Sequence, residues 1–348
     1  MTATSPDTLQ DTPTDALTAT RDHPLGQTDV SKTDVSKTDV SKTDVANTDV
    51  ANTGVAENSL AFLADRAARL NATGEHAPHS LIAALDAAFA RHPTLELLVL
   101  EDTDWQDHPD WPTLIATLGG PRVLRAVFYQ QPWHWLRHAP TTPAETPFAP
   151  ELGHPRRPAK PSGEVYRRQM PKLGQTFSLR VIERERDLER FVRWMHLPRV
   201  AEFWEQAWPE AELAEFIDQR LADPHTLPLI GEFDGRAFGY FELYWAAEDR
   251  LAPYYPWAPF DRGIHLLVGE EDVRGPQFVD AWLGGLSHYA YLSEPRTTRL
   301  VLEPRHDNQR LFRHLGRLGL ERLRDFDFPH KRSSLVMGQR DHFFSEIM

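Results

Sequence analysis

Asp261-Arg262-Gly263-Ile264-His265-Leu266-Leu267-Val268-Gly269-Glu270-Glu271-Asp272-Val273-Arg274-Gly275 reads as a short apolar strand with His265 at its centre, followed by a turn carrying Arg274-Gly275. A long helical pattern starts directly after the turn. A polar side chain inside an apolar strand is costly unless it has a partner. A strand that passes through a glycine-containing loop into a helix N-terminus is a natural phosphate site. On residue type alone, His265 is more simply a core histidine with a partner than a catalytic group.

Around this stretch the C-terminal half has a regular order. Phe177 to Ile182 alternates as a strand. Arg184 to Met195 is an amphipathic helix that Pro198 breaks, and a second helix runs from Ala211 to Leu221. Leu227 to Phe233 and Arg236 to Trp245 flank Asp234-Gly235, a pair favoured in type I′ hairpin turns. A loop rich in aromatics, Tyr254, Tyr255, Trp257 and Phe260, leads into the opening strand. Then come a helix Phe278 to Leu292, a strand Thr298 to Glu303, a helix Asn308 to Leu318, and strands near Leu320 to Phe326 and Ser333 to Gln339. The order is β-α-α-β-β-β-α-β-α-β-β.

Upstream, residues 1–57 are polar and carry a five-residue repeat from Thr28 to Glu57. Five is neither the helical nor the strand period, and a stretch without aromatics cannot offset its ordering entropy, so a disordered tail is expected. Residues 58–138 read as a small α/β accessory domain. Its elements are a helix carrying Leu60, Leu63, Ala67 and Leu70, a helix from Ser80 to His92, a strand Leu95 to Leu100, a helix Trp111 to Leu118 and a strand Pro121 to Tyr129. His134 and His138 have the i, i+4 spacing of metal ligands, but no third ligand is near, and no metal is expected. Residues 139–172 are studded with prolines and read as an extended linker, which leaves 173–348 as the principal domain.

Composition narrows the function. The chain has 348 residues, 41% hydrophobic and 26% charged, enough for a substantial core. Its 38 basic and 51 acidic residues give a formal charge of -13, which argues against a nucleic-acid partner. It has no cysteine, which excludes thiolate chemistry and disulfides. No run approaches the ~20 apolar residues of a membrane span, and no signal-peptide pattern opens the chain. A soluble cytoplasmic protein is expected, with no membrane partner.

The element order and several of these segments together resemble the GNAT acyltransferase superfamily. The strand, Arg274-Gly275 turn and helix look like its acyl-CoA pyrophosphate loop, and Asn308 with Gly319-Leu320 looks like its later helix signature. Within it, Val200-Ala201-Glu202-Phe203-Trp204, Gly239-Tyr240-Phe241-Glu242-Leu243-Tyr244-Trp245, Tyr254-Tyr255 and Asp261 to His265 resemble one subfamily. These are the lysine and N6-hydroxylysine N-acyltransferases of hydroxamate siderophore biosynthesis, of the aerobactin and mycobactin type. The likeness covers about residues 173–345.

The resemblance implies an α/β (α+β) GNAT fold, a mixed twisted sheet flanked by helices, preceded by the small α/β domain and the tail. It implies an enzyme of iron acquisition, transferring an acyl group, expected to be acetyl, from acetyl-CoA or another acyl-CoA to a hydroxylated amine. An aminoglycoside acetyltransferase and a non-catalytic acyl-CoA-binding protein are the competing functions. His265 is implied as the base, with a pKa near neutrality, and Glu303 as its orienting partner or a second base. Gly263 beside His265 is expected to leave room above the ring. A backbone N–H from Leu266, Leu267 or Val268 is implied as oxyanion donor. Arg274, Gly275, Gln277, Phe278 and Asn308 are implied at the cofactor. The sequence departs from the usual loop at Gln277, where a second glycine is common. Trp204, Tyr244 and Tyr255 are expected to wall the acceptor's methylene stem, with Glu242 or Asp261 meeting its α-amino group.

Overall fold

The computed structural model describes residues 48–49, 59–64, 66–71, 78–100 and 109–348. Apart from Thr48–Asp49, the repeat expected to be disordered lies outside the described residues. Those two residues form a short strand, β1, paired with Ser59 and Leu60.

Five strands make the first sheet: β1, β2 (Ser59–Ala64), β3 (Ala67–Asn71), β4 (Leu97–Val99) and β5 (Arg122–Leu124), in that order. Helices α1 (Pro78–Arg91) and α2 (Trp111–Leu118) accompany it. The helix expected over Leu60 to Leu70 is instead the β2–β3 hairpin. Leu60, Ala68 and Leu70 are buried while Leu63, which a helix would bury with them, is exposed. Pairing of β3 with β4 overrides the helical spacing. The strand expected to reach Tyr129 stops at Leu124 and becomes a short helix, α3 (Arg125–Tyr129). Arg125 holds that corner by donating to the carbonyls of Phe89, His92 and Leu95. His134 and His138 are not brought together as ligands. Burial lowers the His134 pKa to about 4, and His138 contacts the Ala139 carbonyl and the Tyr289 hydroxyl. Among the described residues no group of three or more His, Cys, Asp or Glu is placed to hold a metal ion.

A small ribbon, β6 (Phe148–Ala149) with β7 (His154–Pro155), sits within the proline-rich stretch. Residues Glu164–Met170, expected as linker, form strand β8, because no proline falls between Pro161 and Pro171 and Val165, Tyr166 and Met170 can be buried. β8 is an edge of an eight-stranded sheet ordered β14-β15-β13-β12-β11-β10-β9-β8. Its other strands are β9 (Gln175–Val181), β10 (Thr226–Phe233), β11 (Arg236–Trp245), β12 (Arg262–Val268), β13 (Arg299–Leu302), β14 (Leu320–Asp327) and β15 (Arg332–Gln339). Helices α4 (Arg184–Met195), α5 (Pro198–Trp204) and α6 (Glu210–Ala222) come between β9 and β10, and the short α5 is additional to the expected order. α7 (Pro276–Ser293) follows β12, and α8 (Gln309–Arg317) follows β13. The β10–β11 turn has Asp234 at φ 50° and Gly235 at φ 78°, as a type I′ turn requires.

One apolar cluster runs from the five-stranded sheet through β8 and β9 to α7, so the N-terminal elements and the large sheet share a core. Buried His288 of α7 bridges them through the Tyr166 hydroxyl and the Tyr129 carbonyl. A second cluster packs α4 and α6 on the large sheet through Phe191, Leu213, Tyr240 and Leu267. Among the described residues no helix is long and apolar enough to cross a membrane.

Candidate active site

The site forms where the large sheet opens. β12 and β13 pair in parallel only at Arg262↔Leu300 and Gly263↔Val301, and beyond that they separate. β12 stays paired with β11 along its whole length, from Trp245↔Arg262 to Gly239↔Val268. Gly269 N–H donates to the Phe238 carbonyl, so by antiparallel alternation the odd-numbered residues of β12 bond to β11. Leu266 and Val268 therefore turn their backbone groups toward the gap, while Leu267 is committed to β11. This narrows the expected oxyanion donors to Leu266 and Val268. α5 lies along the same edge: Trp204 Nε1 donates to the Leu266 carbonyl at 3.2 Å, and Arg199 donates to the Val268 and Gly269 carbonyls at 2.5 and 2.6 Å.

His265 stands at this opening between two carboxylates. Its Nδ1 is 2.8 Å from Glu242 Oε2, and its Nε2 is 3.1 Å from Glu303 Oε1. The β11 register places Glu242 directly opposite His265, and Glu303 follows the last residue of β13. Tyr240 donates to Glu242 at 2.8 Å and Tyr244 to Glu303 at 3.1 Å. Both carboxylates are almost wholly buried, while the His265 side chain keeps 23% of its surface open to the cleft. Gly263 was expected to leave room beside His265, but the Tyr244 ring fills it. A Cβ on Gly263 would come within 2.0 Å of that ring, which itself lies 4.5 Å from the imidazole.

Charge sets the protonation of this cluster. Burial lowers the His265 pKa, but the Glu303 charge and hydrogen bonds to both carboxylates outweigh it and lift the pKa to about 10. The neutral imidazole expected from the sequence is thus an imidazolium at neutral pH. Burial raises Glu303 and Glu242, but His265, joined by Lys331 and Arg250 at Glu303 and by Arg220 and Tyr240 at Glu242, more than reverses this and holds both below the usual carboxylate range. Arg250 donates to Glu303 Oε1 at 2.9 Å, and Lys331 Nζ lies 3.9 Å from it. Asp249, also on the cleft, is raised mainly by burial and makes no ion pair in the described structure.

The cleft has a volume of about 650 Å³. It takes in His265, Glu303, Glu242, Trp204, Leu266, Leu267, Val268, Arg274 and Asn308 from the residues expected at the site. Arg274 carries an ion pair to Glu271 at 2.6 Å, and Asn308 caps α8 by accepting from Leu311 N–H. The other expected residues do not line it. Tyr244 lies beneath His265. Tyr255 and Asp261 are buried together, with the tyrosine hydroxyl 3.0 Å from Asp261, and with Arg299 and the Ala258 N–H completing the carboxylate's partners, so neither faces an acceptor. Glu242 is spent on His265 rather than free for an amino group. Gly275 caps α7, the Gln277 amide folds back over it, and Phe278 packs on Phe233. The sequence reading missed Asp249, Arg250 and Lys331, which also line the cleft. Asp249-Arg250 lies in the loop noted from the sequence only for its aromatics, and Lys331 lies in the β14–β15 turn. Only the conjunction of several charges in loops beside one strand end signalled them.

A mixed sheet split at its one parallel strand pair, with charged side chains gathered at the split, is the framework of an acyltransferase of the GNAT type. The profile of the acetyltransferase (GNAT) domain matches residues 183–328. The chain is 44% identical over 291 residues to the N(6)-hydroxylysine O-acetyltransferase of Escherichia coli, covering 83% of this chain and 92% of that protein. It is 38% identical over 198 residues to a hydroxyornithine transacylase of Ajellomyces capsulatus, covering 56% of this chain but only 45% of that longer protein. An uncharacterized protein of Bacillus halodurans, solved by crystallography, shares the fold with a TM-score of 0.51 at 24% identity, over 54% of this chain and 95% of that one. The chain belongs to the GNAT acyltransferases, in the group that holds these hydroxylysine and hydroxyornithine enzymes.

Proposed function

We propose that this enzyme transfers an acyl group, acetyl in the first instance, from acyl-CoA to the hydroxylated nitrogen of N6-hydroxylysine or a related hydroxylated diamine, in hydroxamate siderophore biosynthesis. The observation that carries this is the Glu242–His265–Glu303 cluster at the split between β12 and β13, in a chain closely similar to a hydroxylysine acetyltransferase.

The polar edge of β12 at Leu266 and Val268 suits the amide-bearing arm of an acyl-CoA, which would take over carbonyls now held by Arg199 and Trp204. Arg274, Arg310 and His314, at the same cleft, suit its phosphates. For the acceptor, Asp249, whose carboxylate accepts from the Leu251 N–H and has no ion pair, suits an α-ammonium, and Arg250 with Lys331 offers positive charge to an α-carboxylate.

The raised pKa of His265 fits a hydroxylamine acceptor. The hydroxyl oxygen withdraws electron density from the nitrogen, so this acceptor is far less basic than an alkylamine and reaches the site neutral. The nitrogen attacks the thioester carbonyl, forming a C–N bond, and the oxyanion is met by a β12 N–H. As the C–S bond breaks, the sulfur takes a proton from His265. The nitrogen's proton returns to the carboxylate–imidazole unit, leaving it unchanged. Purified enzyme should release CoA from acetyl-CoA with N6-hydroxylysine far faster than with lysine or kanamycin. The product should bind ferric ion as a hydroxamate, which an O-acetyl product cannot do. Equal turnover of lysine, or a product that leaves ferric ion uncoloured, would overturn the proposal.

A further inference from the structure

Arg262 opens the strand that carries His265, but strand alternation turns it to the opposite face, toward α7. There it is buried, with 5% of its surface exposed. Its guanidinium makes no hydrogen bond and no ion pair in the described structure, and its Nε is buried without a partner. The Trp245 ring lies 4.1 Å from the guanidinium carbon, and the one carboxylate whose charge acts on it, Glu294, is already paired with Arg296 at 2.7 Å. Arg157 lies over the same ring at 4.2 Å but has Glu248 as its ion-pair partner. A buried charge without a partner is rare, because desolvation outweighs any gain from packing.

The guanidinium borders a second cavity of about 230 Å³, separate from the cleft at His265. Its walls are the ends of β11 and β12, the C-terminal part of α7, the segment Pro224 to Leu227 and the proline-rich strap from His138 to Pro161. Its polar groups sum to an excess of positive charge. Lys160 adds a full charge while spending its donors on the carbonyls of Arg220, Asp223 and Thr226 at 2.8, 2.8 and 3.0 Å. Glu145 is the one carboxylate on the wall, and it is turned to the Thr142 N–H and hydroxyl at 2.6 and 2.8 Å. Burial lowers the Arg262 pKa to about 10, which still leaves it cationic at neutral pH.

We propose that this cavity binds a small oxyanion, a short carboxylate or a phosphate, through the Arg262 guanidinium. The planar fork of arginine donors fits either group, and the volume holds a few heavy atoms where a single water needs about 10–15 Å³. The anion would supply the charge that no residue of the wall gives Arg262. This inference does not depend on which acceptor the enzyme acylates.

The test is thermal unfolding of the full chain, titrated with inorganic phosphate, acetate or succinate against sodium chloride at equal ionic strength. At least one oxyanion should raise the midpoint saturably, and comparing the three tells phosphate from carboxylate. Arg262→Met should abolish the response without lowering the midpoint in chloride. Arg274→Ala, at the other cleft, should keep the response. Should Arg262→Met fail to fold, Thr141→Phe, which fills the cavity from the strap, serves instead and should also abolish it. The absence of any saturable shift, its survival in Arg262→Met or Thr141→Phe, or its loss in Arg274→Ala would overturn the proposal.

Discussion

His265 and Arg262 sit on the same strand and both carry a positive charge, one half-buried at the cleft and one buried, yet their surroundings differ in kind. His265 has carboxylates on both ring nitrogens, and these in turn have Tyr240, Tyr244 and Arg250. Arg262 has an aromatic face and no anion within ion-pair distance, since Glu294, whose charge reaches it, is paired with Arg296. On the first face the protein supplies every counter-charge, so the cluster is fixed before substrate arrives. On the second the missing counter-charge is left for something else to bring. Completeness of pairing thus distinguishes a site built to react from one built to receive.

The largest effect expected from breaking the first face is on chemistry. Glu303→Gln should lower kcat by roughly 100-fold or more, the range of a lost acid–base group, with a smaller change in KM for acyl-CoA. Steady-state kinetics checks this, and a kcat within a factor of two of wild type would remove Glu303 from the mechanism. Gly263→Ala comes next. Its Cβ would overlap the Tyr244 ring, and overpacking of this kind destabilises by about 1–3 kcal/mol or more, readable as a lower urea midpoint. Its kcat should fall as well, because Tyr244 carries the hydrogen bond to Glu303.

The pH dependence sharpens the same contrast. Activity should persist across neutral pH and decline as His265 loses its proton near pH 10. An enzyme needing neutral His265 would instead gain activity over that interval. Stability follows the same group. Its folded pKa lies above the unfolded value of about 6.5, so its contribution is complete below that pH and is lost as pH rises toward about 10. Wild type should therefore lose stability relative to His265→Gln between these limits, measured by urea unfolding at each pH. The smallest effect belongs to the rim: Arg274→Ala should raise KM for acyl-CoA by roughly tenfold, as one charge-assisted hydrogen bond is lost, and leave kcat nearly unchanged.

Much of the large sheet was legible because its elements announce themselves locally. The Asp234-Gly235 hairpin, the α4 stripe of Phe191 and Met195, and the strand with His265 each follow from neighbouring residues. Glu303 was legible through the resemblance, as a carboxylate before Pro304. The N-terminal elements were harder. Leu60 to Leu70 has a helix-like spacing that pairing with β4 overrides, and β8 hides between prolines that flank it without interrupting it. Asp261 and Tyr255 were drawn toward the acceptor by their nearness in sequence to His265, whereas the strand carries Asp261 to Arg299 at the opposite end.

The sequence by itself determined most of the order of strands and helices from β9 onward, the placing of His265 inside an apolar strand, and the family. Those follow from periodicity, turn chemistry and motifs, which act between near neighbours. Only the tertiary structure decided the charge on His265, the loss of Glu242 as an acceptor contact, and the solitude of Arg262. A pKa depends on distances through space, and Glu242, Arg250, Glu303 and Lys331 approach His265 only once β11, β12, β13 and the β14–β15 turn are assembled.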